Sequence, residues 1–265
     1  DEYTRFWFTG PQKHFHKYSS WIADAVYNRY LVTSDRAFLI ALLPDLVSDY
    51  RQWEKEKLLE SGLFWQYDVR DGMEESISGS RTAKNARPTI NSYMYGNAVS
   101  IAKIADMAED KDLSIEFSAK ATRLKALIQK ELWDTNAAFF KVQFENGPLS
   151  DVREQIGFIP WYFNLPDAGY EAAWKQAVDP EGFKASLGLT TAEMRHPKFR
   201  THGTGGCEWD GAVWPFANSQ TLTAMANVLL NYNQPYVTSR DYFDAMLIYA
   251  KSHQKDNKPY IGEYF

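Results

Sequence analysis

The sequence predicts an all-α protein, built mainly of helical hairpins with long loops between some of them. Apolar residues recur at three- and four-residue spacing through most of the 265 residues. Strand signals are confined to one short stretch. The irregular segments between periodic runs contain no low-complexity linker and no shift in composition, so residues 1–265 read as a single domain.

Ser19 or Ser20 can cap a first helix reaching Tyr30, with Trp21, Ala25 and Val26 on one stripe. Asp35 opens a longer helix carrying Phe38, Leu39, Leu42, Leu46, Tyr50 and Trp53, and Pro44 inside that pattern predicts a kink. Residues 60–88 are irregular and rich in Gly, Ser and charge. Helices resume over residues 91–109 (Tyr95, Ala98, Ile101, Ala102, Ala105) and 112–133 (Ile115, Ala119, Leu124, Leu127, Leu132). The strand signal is Phe139–Phe144, with Asn146–Gly147 as a hairpin turn. GFIPWYFNLP reads as a short buried segment, helical or extended, ended by Pro166, and a short helix follows at residues 170–178. A loop over residues 180–207 leads to two closing helices, near residues 213–232 and 240–253. Loops this long in a compact domain are usually functional or disordered, and these two contain Trp, Asp, Glu and Gly in quantity.

Lys and Arg number 29 against 34 Asp and Glu, with no basic block, which argues against nucleic acid as a partner. No apolar run approaches the roughly 18 residues a membrane helix needs. Cys207 is the sole cysteine, so an intrachain disulfide and a cysteine-rich metal site are excluded. The five histidines form no ligand-spaced motif, and no phosphate- or dinucleotide-binding glycine pattern is present, so no metal and no cofactor are expected. The 9 Trp, 16 Tyr and 16 Phe are the unusual feature. Several Trp stand beside carboxylates and Gly-rich turns, where flat apolar rings next to fixed hydrogen-bonding groups suit a sugar.

Three segments concentrate chemistry. WQYDVRDGMEESISG, from Trp65, packs Asp68, Asp71, Glu74 and Glu75 together. Clustered carboxylates raise one another's pKa, and a carboxyl against an apolar wall stays protonated, as a general acid must. CEWDGAVWPFANSQTL gathers Trp209, Asp210 and Trp214 at a helix entrance. YIGEYF sets Glu263 after a glycine among aromatics and ends abruptly. A solvated turn, a capped helix with packing tryptophans and an exposed terminal glutamate are the ordinary readings of the three taken singly.

Taken together, with order and spacing agreeing, they resemble the six-hairpin (α/α)6 toroid glycoside hydrolases, close to mannosylglycerate-hydrolase-like proteins, family 63 processing α-glucosidases and family 37 trehalases. RPTINSYMYGNAVSIAKIA resembles the helix that follows the first catalytic loop. The resemblance implies hydrolysis of a glycosidic bond, α-linked and exo-acting, with inversion, in an oligosaccharide or glycoside substrate. It assigns Asp71 as general acid, with Asp68 competing, and Glu263 as the base that activates water. Trp65, Arg70, Trp209, Asp210 and Trp214 would line the sugar subsite. Asp71 and Glu263 are then expected to face each other about 6.5–9.5 Å apart, the inverting spacing, and Trp209 and Trp214 to show accessible faces.

Two departures from the family pattern matter. Asp210 stands where the glucosidases have Arg, so glucose specificity does not transfer. Seven or eight helices rather than twelve imply an incomplete toroid, the C-terminal hairpins of a longer catalytic domain, with N-terminal hairpins supplied by another part of the same polypeptide and an end just after the second carboxylate. Enzymes of this kind are often exported, which tilts the expected location toward the periplasm or secretion. The alternatives are an inactive carbohydrate-binding toroid, or an epimerase or phosphorylase on the same fold.

Overall fold

The computed structural model describes residues 18–202, 206–260 and 262. Among them the regular structure is helical apart from three antiparallel pairs of two-residue strands. The helices are α1 (Ile22–Thr33), α2 (Arg36–Ala41), α3 (Leu43–Lys57), α4 (Pro88–Met107), α5 (Lys111–Glu131), the single turns α6 (Ile159–Tyr162) and α7 (Lys175–Val178), α8 (Pro215–Asn231) and α9 (Ser239–Ser252).

The helix expected from Asp35 with a kink at Pro44 is two helices. Asp35 caps α2 by accepting from the Phe38 N–H at 3.1 Å. The chain breaks at Leu42, and Pro44 falls in the first turn of α3, where a missing N–H costs nothing. Leu43, Leu46, Val47, Tyr50 and Trp53 form the buried stripe of α3. α5 and α9 begin at side-chain caps, Asp110 and a Thr238–Asp241 capping box. α1 has no cap of its own. Asn97 of α4 supplies it, its Oδ1 accepting from the Ala23 N–H at 3.0 Å and its Nδ2 donating to the Ser20 carbonyl at 2.9 Å.

α4 is the central helix, packed by α1, α3, α5 and α6 and buried on most of its surface. Close approach is possible because position 96 is glycine: a β-carbon there would strike the Phe163 ring. The main core gathers Trp53, Phe117, Phe139, Phe140, Phe158, Trp161, Trp174 and Phe183 around this helix. The expected strand shrinks to Phe139–Phe140, paired with Trp133–Asp134. The turn at Asn146–Gly147 does form, with the Gly147 N–H donating to the Phe144 carbonyl at 3.1 Å and an isolated bridge between Gln143 and Leu149. GFIPWYFNLP is a buried 3-10 turn running into α6.

The two long irregular segments meet. Residues 71–79 approach the second one at Gly206, where a β-carbon would collide with the Glu75 carboxylate. They continue to the Ser78–Glu154 hydrogen bond, and the neighbouring Gln155 N–H donates to the Thr191 carbonyl at 2.8 Å. A smaller apolar cluster of Met73, Tyr93, Val142, Ile156, Ile159, Trp209, Ala212, Trp214 and Ala217 lies beneath this junction.

One fold-level prediction concerns Asp24 in the first turn of α1. Burial pushes its carboxyl up to about 6, against the opposing pull of Ser100, Lys103 and Asn28. The folded state therefore binds a proton that the unfolded chain has released, so this position's contribution to stability falls as pH rises from about 4 to about 6 and is flat above. Asp24→Asn is expected to raise stability by about 1–2 kcal/mol at pH 8 and to leave it unchanged near pH 4, read from urea midpoints. Equal shifts at both pH values would refute the assignment.

Candidate active site

The loop from Trp65 to Gly79 is folded tightly by its own acids. Asp68 is buried, accepts from the Val69 N–H through Oδ1 at 2.7 Å, and lies with Oδ2 against Gly79, where a β-carbon would collide with it. The carbonyl of Asp68 accepts from the N–H groups of Asp71 and Met73. Between these, Gly72 adopts φ +78°, a left-handed conformation natural to glycine, and turns the chain toward Glu74.

Asp71 faces inward. The Arg87 Nε donates to its Oδ2 at 2.6 Å, Arg87 Nη2 approaches Oδ1 at 3.4 Å, and the Thr89 hydroxyl donates to Oδ2 at 2.6 Å. Both side chains of the ion pair are 0% exposed. Burial pushes the Asp71 carboxyl above the usual range, while the Arg87 charge and the two donors pull it back. The buried Glu154, also within the field of Arg87, accepts from the Ser78 N–H at 3.2 Å and from the Ser78 hydroxyl, and burial raises its pKa as well. One buried guanidinium thus sits in the field of Asp71, Glu154 and Asp68.

Glu74 differs from its neighbours. It is half-buried, its carbonyl accepts from the Trp209 N–H at 3.3 Å, and its carboxyl is raised by burial and by the nearby charges of Asp71 and Asp68. Glu75, at φ +62°, turns instead toward Arg81 at 3.9 Å.

A cavity of about 550 Å³ opens beside this loop, lined by Tyr18, Trp21, Ile22, Arg70, Gly72 and Phe216 together with Asp71. Because the Asp71 side chain is fully buried, it is the main chain of Asp71 that borders the cavity. Arg70 does line it, with its guanidinium 5.5 Å from the Tyr18 ring centre.

The other expected site residues lie elsewhere. Trp209 and Trp214 are 3% and 4% exposed and stack on each other at 4.2 Å and 15°, so they form a buried floor and do not present the accessible faces expected of a rim. The Trp214 indole N–H donates to the Glu208 carbonyl at 3.0 Å, and the Trp209 ring meets Phe216 edge-on at 6.4 Å, through which the floor reaches the cavity. Asp210 is buried and ion-paired with Arg200. Trp65 is half-buried, with Lys57 Nζ 3.9 Å above its ring and Tyr67 at its edge. Glu263 lies outside the described residues, and with it the Asp71–Glu263 separation.

Sequence reasoning missed Arg87, Thr89 and Glu154, and it passed over Glu74 within a cluster it had noticed. Arg87 carries a weak signal: a cation immediately before the Pro88 that opens α4 looks like ordinary helix-entry chemistry. Among the described residues no group of His, Cys, Asp and Glu has the arrangement of a metal site. Among them, too, no helix is long and apolar enough to cross a membrane.

Comparison with known proteins places this geometry in context. Residues 5–265 match the family described as the mannosylglycerate hydrolase MGH1-like glycoside hydrolase domain. A solved structure named "Sialidase" is 49% identical over 98% of this chain and 24% of its own, with a TM-score of 0.92. The GH63 mannosylglycerate hydrolase from Thermus thermophilus, solved in complex with glucose, is 18% identical over 88% of this chain and 64% of its own, with a TM-score of 0.68. Neutral trehalase Nth1 from Saccharomyces cerevisiae is 14% identical over 60% of this chain and 31% of its own, with a TM-score of 0.51. The latter two likenesses carry the fold, an (α/α)6 toroid. The chain spans about a quarter of the sialidase-named structure and 40% of the curated relative it matches.

Proposed function

The chain belongs to the mannosylglycerate hydrolase MGH1-like glycoside hydrolase family, and from that premise we propose that it hydrolyses an α-linked, terminal glycosidic bond by acid–base catalysis with inversion. The observation that carries the proposal is Glu74, a half-buried acid two residues beyond the Arg70–Gly72 stretch that lines the cavity, on a loop whose Asp71 carboxylate is fully enclosed; burial and the neighbouring carboxylates also raise its pKa. A general acid must reach the leaving oxygen and hold a proton near neutrality. Asp71, the acid the resemblance suggests, has its carboxylate enclosed by Arg87 and Thr89. In this reading Asp71 positions the loop, Glu74 protonates the leaving group, and Glu263 remains the candidate base. The 550 Å³ cavity between Trp21 and Phe216 is ample for a sugar ring and part of its aglycone, and Arg70 stands at its edge.

The test is a panel of aryl α- and β-glycosides of glucose, mannose and galactose, with trehalose, α-mannosylglycerate and aryl sialosides added because of the names its structural relatives bear. The first product is read by proton NMR. Release of the β-anomer from an α-glycoside supports the proposal, and release of the α-anomer overturns inversion. Sugar binding without turnover would favour the inactive toroid, while isomerisation, or cleavage only with phosphate present, would favour an epimerase or phosphorylase.

A further inference from the structure

The walls of the 550 Å³ cavity are chemically unequal. Among the described residues, Tyr18, Trp21, Ile22, Ala25 and Phe216 make an apolar side, and Arg70 is the charged side chain at its edge. The apolar side is open to solvent: Phe216 is 45% exposed, Ala25 is exposed, and Tyr18, Trp21 and Ile22 are half-buried. Its rings are also held in place. The Trp21 ring centre lies 4.7 Å from that of the buried Tyr93 and 5.8 Å from that of Tyr162, while Phe216 meets the buried Trp209 edge-on. Polar partners are scarce there. The Ser19 hydroxyl is itself buried, which leaves Ser20 and Arg70 as the polar side chains available on the described walls. The Ser19 N–H donates to the Arg70 carbonyl at 3.1 Å, so the entrance to α1 is fastened to the acid loop.

We propose that this apolar side is the leaving-group subsite, and that it takes an aryl or alkyl aglycone in place of a second sugar. The proposal rests on the glycosidase reading and names the class of glycoside it acts on. In it the sugar ring sits at the Arg70–Gly72 edge, next to the loop that carries Glu74, and the aglycone extends toward Trp21, Ala25 and Phe216. A second sugar would bring several hydroxyls against a wall with few polar groups and lose hydration without replacement. An alkyl or aryl group gains from the same surface, because burying apolar area is favourable and needs no partner. Size argues against a larger occupant. The cavity falls in the roughly 300–1,000 Å³ range of small-molecule pockets, whereas a stable protein interface needs about 800 Å² from each side. Charge narrows the class further. The Arg70 guanidinium stands 5.5 Å from the Tyr18 ring centre, with no carboxylate in ion-pair contact among the described residues, so the subsite disfavours a cationic aglycone.

The probes are S-linked α-glucosides and α-mannosides, which resist hydrolysis, bearing methyl, hexyl, benzyl or aminohexyl aglycones, together with S-linked disaccharides of the same sugars. Calorimetry measures their binding to the full chain, to Phe216→Ala and to Ala25→Lys, and circular dichroism and Tm verify that each variant folds. Hexyl and benzyl thioglycosides are expected to bind about 10- to 100-fold more tightly than methyl, with a negative heat-capacity change, and the disaccharides no more tightly than methyl. The aminohexyl probe should lose most of the hexyl gain. Phe216→Ala and Ala25→Lys should each reduce the hexyl-to-methyl ratio to about 3 or less. Equal affinity for methyl and hexyl, a disaccharide preferred over both, or binding of no probe would overturn the proposal. So would dimerisation that Phe216→Ala abolishes, since the face would then belong to a second copy of the chain. Hydrolysis of O-linked α-glycosides is scored separately. Turnover with no aglycone preference defeats the subsite alone, and aglycone-dependent binding without turnover defeats the catalytic reading alone.

Discussion

Glu74→Gln is expected to lower kcat/KM on an unactivated glycoside by about 10²–10⁴-fold, the usual contribution of a positioned general acid. Glutamine keeps the shape of the side chain and its packing but has no proton to give. The loss should therefore depend on the leaving group. A glycosyl fluoride or 2,4-dinitrophenyl glycoside departs without protonation, and with such a substrate the variant should recover most of its rate. The pH profile supplies a second signature. An acid catalyst must be protonated, so the rate falls as pH rises through its pKa. Burial and the Asp71 and Asp68 charges hold the Glu74 carboxyl above the usual carboxylate range, which moves that alkaline limb toward neutrality. The limb should vanish in Glu74→Gln.

Asp71→Asn separates the two readings of the loop. If Asp71 only holds Arg87 and Thr89, its amide variant should slow all substrates by one common factor and destabilise the fold. If Asp71 itself is the acid, this variant and not Glu74→Gln will show the leaving-group dependence. That result would remove Glu74 from the mechanism. Glu263→Gln belongs in the same series, since a base activating water should lose rate regardless of leaving group.

Helices were the legible part of this molecule because their information is local. The stripe of Leu46, Tyr50 and Trp53 and the capping residue Asp35 sit within a few residues of what they specify. Pro44 misled because a proline in a first turn and one in a helix interior look alike until the helix start is known, and that start depends on the break at Leu42. The cap on α1 was invisible for the opposite reason: Asn97 provides it from another helix. The same distinction runs through the site. The acidic cluster after Trp65 could be seen at once, but which carboxyl stays accessible depends on Arg87 and Glu154, brought in from the entrance to α4 and from the turn before α6. Trp209 and Trp214 illustrate a further limit. Tryptophans beside a carboxylate suit a sugar rim and a buried floor equally well in sequence, and their mutual stacking at 4.2 Å is a purely tertiary fact.

Replacing Arg87 is expected to have the largest effect on stability. Arg87→Met approximates the length of the side chain but leaves Asp71 and Glu154 buried without the positive charge whose field both share. Breaking a buried pair by removing one partner typically costs about 3–5 kcal/mol, far more than the net worth of the pair, because the surviving charge has lost its hydration and gained nothing. The deficit should appear as a lowered urea midpoint at pH 7.5. Its pH dependence has a definite sign. Without Arg87, both carboxyls titrate at higher pH in the folded state than in the unfolded chain, so the folded variant takes up protons as pH falls and regains stability. The gap between the two proteins should narrow from pH 7.5 toward pH 5. A second substitution tests the cause: Arg87→Met combined with Asp71→Asn should be more stable than Arg87→Met alone, since one of the orphaned charges is gone. A gap constant with pH, or a double variant worse than the sum of its parts, would show that Arg87 contributes by packing and not by charge. The acid loop would then owe its shape to Gly72, Gly79 and the Asp68 turn instead of to the buried ion cluster.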